Sequence, residues 1–106
     1  MQKANALTNQ CLLVLAAKGF YVWRQNNAAV FDATKKIYRS NSATKGIPDI
    51  LGFNKTTGKF ICVEIKVGKD KLSVFQQEFL TTAQKATAYT FVIKTTDDIE
   101  AMAKSL

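Results

Sequence analysis

Histidine is absent from this chain, which excludes imidazole general acid–base catalysis, Ser-His-Asp triads and every zinc site that depends on imidazole. Any catalysis must rest on carboxylates, Lys, Tyr, Ser or a hard metal ion. Only two cysteines occur, Cys11 in an apolar helical stretch and Cys62 in a strand-like run. Both read as buried small hydrophobes rather than a disulfide framework, which suits a reducing, cytoplasmic setting. A single proline and the lack of any repeat or low-complexity tract exclude disordered and fibrous classes. No long hydrophobic run is present: Cys11 to Ala17 falls far short of the roughly 20 residues of a membrane span. The opening Met1-Gln2-Lys3-Ala4-Asn5 leads straight into an amphipathic segment, so neither a signal peptide nor a membrane partner is expected.

Acidic residues are scarce as well. Eight Asp and Glu stand against fifteen Lys and Arg, giving a net charge of +7 and a pI near 9.6. A small domain so charged attracts polyanions, and nucleic acid is the default partner. A merely soluble basic surface has the same composition, so the motifs must decide. With 106 residues, 47% of them hydrophobic and 22% charged, the chain reads as one ordered domain spanning residues 1–106.

Leu7, Cys11, Val14 and Leu15 recur at helical spacing and predict a first helix from about Asn5 to Lys18, ended by Gly19. Phe20 to Arg24 and Ala29 to Phe31 read as two strands of a hairpin turning at Asn26-Asn27. From Thr34 to Gly46 the chain is polar and basic, a loop around one short strand turn at Ile37-Tyr38. Its Lys35, Lys36, Arg39 and Lys45, set among small hydroxyl and amide side chains, have the chemistry of phosphate contacts, and also that of a solvated loop. Pro48 to Phe53 and Lys59 to Val67 are predicted to pair as central strands across the turn Asn54 to Gly58. Ser73 and Gln76 form a capping box before a helix from Val74 to Ala86. Tyr89 to Lys94 is a further strand. Asp97, Asp98 and Glu100 begin a last helix with the stripe Ile99, Met102, Ala103 and Leu106.

Strand alternation puts Ile61, Val63, Ile65 and Val67 on one face and Cys62, Glu64 and Lys66 on the other. Two charges on an otherwise apolar strand need partners or a task. Asp49 falls at the same end of the sheet, so two carboxylates make an oxygen-rich site for Mg2+ or Mn2+, with the Ile65 carbonyl as a further ligand. Such a metal lowers the pKa of a bound water, and the Lys66 ammonium can position that water or stabilise the pentacovalent state. The competing account is a surface salt bridge between Glu64 and Lys66 with Asp49 in an ordinary turn.

Gly46-Ile47-Pro48-Asp49-Ile50, followed fifteen residues after Asp49 by Glu64-Ile65-Lys66, resembles the PD-(D/E)XK nuclease superfamily. Leu72-Ser73-Val74-Phe75-Gln76-Gln77-Glu78-Phe79 and Val22-Trp23-Arg24-Gln25-Asn26-Asn27 resemble the VRR-Nuc family within it, and the similarity runs from about Gln10 to Ile93. The resemblance implies an α/β fold with a restriction-endonuclease-like core, a mixed β-sheet flanked by helices. It implies metal ligation by Asp49 and Glu64, catalysis by Lys66 with Gln76 in support, and Arg24 at the DNA. Members commonly carry a Glu in the first helix; this one offers only Thr8, Asn9 and Gln10, which bears on metal affinity and on the number of metals held. A neutral amide can still hold a metal-bound water.

Stand-alone members of the family resemble dimeric junction-resolving enzymes of phage or bacteria. The expected function is therefore a metal-dependent endonuclease on branched DNA, most of all four-way junctions, acting as a homodimer in the cytoplasm of a bacterial cell or a phage-infected host. The candidate dimer surfaces are the Phe20, Tyr21 and Trp23 strand and the last helix with Met102 and Leu106. The alternative is a non-catalytic DNA-binding module with a decayed site.

Overall fold

The computed structural model describes residues 3–25, 30–39 and 44–106, with the main chain alone at 30–32 and 37–39. Leu7, Cys11 and Leu15, four residues apart, form the buried stripe of α1 (Ala4–Ala17), and Gly19 leaves the helix in the left-handed region at φ 91°. Five more elements surround the sheet's centre: β1 (Phe20–Arg24), β4 (Ile50–Asn54), β5 (Phe60–Ile65), β6 (Tyr89–Ile93) and the helix α2 (Val74–Lys85), which carries the chain from β5 to β6. A last helix, α3, spans Thr96–Ser105. A separate pair, β2 (Val30–Asp32) and β3 (Ile37–Arg39), forms its own two-stranded sheet.

The main sheet has the order β1-β4-β5-β6. β1, β4 and β5 run antiparallel, and β6 returns parallel to β5 through the α2 crossover. The expected hairpin of Phe20–Arg24 with the Val30 run does not form. β1 instead pairs with β4, Phe20 opposite Asn54 and Arg24 opposite Ile50, while β2 pairs with β3. Gly52 is the physical reason: a Cβ there would collide with the Tyr21 main chain and with Val22, so only glycine lets β1 close onto β4. The Asn26-Asn27 turn and Ala29 lie outside the described residues, as do Ser40, Asn41 and Ser42 of the basic loop.

One face of the sheet carries Phe20, Ile50, Ile61, Val63, Ile65 and Ile93, all buried against Leu7, Cys11 and Leu15 of α1 and Ile99 and Met102 of α3. The opposite face presents Tyr21, Trp23, Leu51, Phe53, Phe60, Cys62 and Glu64, and α2 covers only its β5–β6 side. The strand ladder therefore separates an aliphatic core from a second, mixed surface.

Candidate metal and nuclease site

Continuing the β4–β5 register one step beyond Ile50 and Val63 sets Asp49 opposite Glu64. The main chain secures Asp49 on both sides. Its Oδ2 accepts the Ile65 N–H at 2.8 Å, and its carbonyl accepts the Gln25 N–H at 2.7 Å. Glu64 is only 2% exposed, and its Oε2 has no hydrogen-bond partner. Burial, and then the adjacent Asp49 carboxyl, push its pKa up to about 9 against the opposing pull of Lys66.

Gln76 faces Glu64 because of the way α2 begins. The Ser73 hydroxyl accepts the Gln76 N–H at 3.1 Å and Gln76 Oε1 accepts the Ser73 N–H at 2.8 Å. With its oxygen so engaged, the amide turns Nε2 to Glu64 Oε1 at 3.4 Å. The cap and the contact with the carboxylate coexist in one side chain. Gly46 holds this helix start against the Pro48-Asp49 segment. It has φ 77°, and a Cβ on it would collide with the main chain of Phe75 and Gln76.

Lys66 follows β5 on the Glu64 side and lines a groove of about 730 Å³ in which Lys71 and Lys94 stand with Asp70 and Asp98, beside Gln77 and Val92. The Lys71 and Lys94 contribution escaped sequence reading: only β6 lying beside β5 brings residue 94 to residue 66. Ile65 buries its side chain on the α1 face, so only its main chain can serve the site.

The basic residues divide. Lys45 places Nζ 5.0 Å from the centre of the Phe75 ring, beside the segment that carries Asp49. Arg24 points to the α1 face, where it donates to Asn5 Oδ1 at 2.6 Å. Asn5 is thus the first-helix amide that reaches this end of the sheet. Thr8 is buried and donates to the Ala4 carbonyl at 2.8 Å, while Asn9 and Gln10 are exposed. Lys35 and Lys36 are exposed in the β2–β3 turn, and Arg39 is described by its main chain alone, opposite Val30.

Among the described residues no cluster of three His, Cys, Asp or Glu side chains occurs. The candidate donors are the pair Asp49 and Glu64. A buried carboxylate with an unpartnered oxygen, facing a second carboxylate, is the arrangement a hard divalent cation relieves, and main-chain carbonyls and waters can fill the remaining positions. The residues present fit Mg2+ or Mn2+.

A mixed sheet flanked by helices, with an acidic pair and a lysine at one end of its central strands, defines the restriction-endonuclease-like fold. Residues 21–96 match the VRR-NUC domain model, and the chain belongs to that family. Among curated proteins none matches the chain. Among solved structures it is similar to Hjc of the archaeal hyperthermophile Archaeoglobus fulgidus, a Holliday junction resolvase, at 25% identity and a TM-score of 0.54. That match covers 83% of this chain and 64% of the resolvase chain.

Proposed function

We propose that this protein is a divalent-metal-dependent endonuclease that hydrolyses DNA phosphodiester bonds, acts preferentially on branched DNA such as four-way junctions, and works as a homodimer. One observation carries the reading: Glu64 keeps a buried, unpartnered carboxylate oxygen beside Asp49. An unsatisfied buried group costs about 1–3 kcal/mol, which a decayed, purely DNA-binding module has no reason to retain.

When bound, Mg2+ or Mn2+ supplies a water of lowered pKa and neutralises charge building on the phosphate. Asp49 and Glu64 would hold it, with Asp49 kept in register by the Ile65 N–H. Gln76 steers the Glu64 carboxylate through its Nε2. The Lys66 ammonium orients the attacking water and stabilises the pentacovalent phosphorus, while Lys71 and Lys94 in the same groove receive neighbouring phosphates. Lys35, Lys36, Arg39 and Lys45 contact the backbone further out, and Arg24 braces the first helix through Asn5.

The junction preference rests on the resemblance to the archaeal resolvase. A single chain holds one site, and symmetric cuts in two strands call for a two-fold pair. Of the expected dimer surfaces, the β1 strand buries Phe20 but leaves Tyr21 and Trp23 exposed, and the last helix buries Met102; Leu13 of α1, 73% exposed beside Ala103 of α3, is an apolar side chain open on that side.

Linear, flapped, gapped and four-way DNA substrates with Mg2+ or Mn2+ test the proposal, with sedimentation at micromolar concentration. The junction should be cut fastest, by a dimer. Asp49→Ala, Glu64→Ala and Lys66→Ala should each lose cleavage on the order of 10³-fold while remaining folded. Calorimetry should show Mn2+ binding kept in Lys66→Ala and sharply weakened in Asp49→Ala. Full activity in EDTA, or in any of the three variants, overturns the assignment.

A further inference from the structure

The sheet face that carries Glu64 leaves an aromatic surface open beside it. Tyr21, Phe53 and Phe60 stand in one row on three adjacent strands, and Trp23 lies in the next row towards Asp49 and Glu64. Tyr21 is 58% exposed, Trp23 41%, Phe53 40% and Phe60 37%. Tyr21 and Phe53 are stacked at 5.4 Å with planes 12° apart, and Trp23 meets Tyr21 edge-on at 6.3 Å. The row runs on into a groove of about 630 Å³ lined by Phe60, Phe75, Phe79, Lys45 and Glu78, with the Lys45 ammonium 5.0 Å from the Phe75 ring centre. A contiguous exposed aromatic patch of this kind marks a binding surface rather than leftover core.

We propose that this row is a stacking platform for nucleobases unstacked where a DNA branch interrupts the duplex, four-way junctions included, so that the substrate class is DNA offering open base faces next to the scissile phosphate rather than uninterrupted duplex. The proposal deepens the nuclease reading and rests on it only for the position of the scissile phosphate. Base faces are available for stacking only where they are not already stacked in a duplex, and aromatic stacking is indifferent to sequence. Charge selects this occupant over a second copy of the chain. At its Phe75 end the patch carries Lys45 against one carboxylate, Glu78, in a chain of net charge +7. Phosphates complement that net positive charge; a symmetry mate would oppose it with its own.

Trp23 is the sole tryptophan, so its emission reports on this face alone. In EDTA, where no cutting occurs, wild-type protein is titrated with a 15-nucleotide oligo(dT) and with a 15-base-pair duplex. The single strand should quench Trp23 and the duplex should not. Tyr21→Ala and Phe53→Ala should each weaken single-strand binding roughly tenfold or more, with duplex binding kept within about twofold. Phe53→Tyr should retain binding and Phe53→Leu should not, which separates stacking from mere apolarity. Unquenched Trp23, or equal single-strand affinity in all variants, overturns the platform. So does conversion of a dimer into a monomer by Phe53→Ala with single-strand binding unchanged, since the occupant is then a second copy. If quenching and its loss behave as stated while no metal supports cleavage, the platform stands and the nuclease reading falls.

Discussion

The two faces of the four-stranded sheet are built from the same strands and do opposite work. On the α1–α3 side Leu7, Leu15, Ile50, Ile61, Val63, Ile93 and Met102 meet with essentially no exposure. On the α2 side the same strands contribute Glu64 with an unpartnered oxygen, Asp49, Cys62 and a row of half-open aromatics. Stability resides in the first surface, whose area is almost wholly apolar, its buried Thr8 hydroxyl being satisfied by the Ala4 carbonyl. The second tolerates a buried carboxylate and open rings, the features on which the proposed metal and DNA contacts rest. A β-strand allows this division because successive side chains point to opposite faces.

The largest expected effect breaks the contrast from the core side. Leu15→Ala should cost about 2–5 kcal/mol in urea unfolding, whereas Phe53→Ala on the other face should change stability by no more than about 1 kcal/mol. Equal losses would show that the aromatic row is core. Next comes Gly46→Ala, which forces a Cβ into the main chain at the start of α2 and strains a left-handed residue. It should destabilise by about 2–3 kcal/mol and, because Gln76 and Asp49 are displaced together, lower cleavage more than the loss of folded protein explains.

Glu64→Gln should act in the other direction. In EDTA at pH 8 it should stabilise the protein by about 1–3 kcal/mol while ending cleavage. The folded carboxyl holds its proton up to about pH 9, whereas the unfolded one releases it near the ordinary 4.5. Metal-free wild type should therefore lose stability as pH rises through that window, and below it no penalty remains. Thermal melts of the two proteins should diverge with rising pH; a constant difference would show that Glu64 is not held protonated. Excess Mn2+ should narrow the gap, since the ionised pair then has its counter-charge.

The smallest effect compares how helices on the two faces end. α1 ends with Gly19 in the left-handed region, while α2 ends with Thr87 at φ 72° in the same position. Around Thr87 the Ala88 N–H reaches the Ala83 carbonyl at 2.9 Å and the Thr87 N–H reaches the Gln84 carbonyl at 3.0 Å. A β-branched residue is strained there, so Thr87→Gly should raise stability by about 1 kcal/mol, read as a higher Tm with cleavage unchanged.

The elements whose signals are local were legible from the chain. The α1 stripe of Leu7, Cys11 and Leu15, the Ser73–Gln76 cap and the turn from Asn54 to Gly58 are set by neighbours within a few residues, and the structure has all three. The strand alternation around Glu64, with Asp49 at the end of the preceding strand, was equally local. Pairings between distant segments were not legible. Phe20–Arg24 looks like half of a hairpin with the next apolar run, and only the space left by Gly52 in a strand some thirty residues on assigns it to β4.

The sequence by itself determined the class: a basic, histidine-free α/β chain with Asp49, Glu64 and Lys66 on the pattern of a nuclease family, since residue type and a period of two suffice to set charges on one side of a strand. Tertiary structure alone decided which of those charges is buried, that Gln76 caps its helix and touches Glu64 at once, and that Arg24 turns away to Asn5. It also joined Lys71 and Lys94 to Lys66 and gathered Tyr21, Phe53 and Phe60 into one open row. The physical reason is that burial and contact depend on which strands become neighbours, and that choice is made by the packing of the whole sheet rather than by any short stretch of chain.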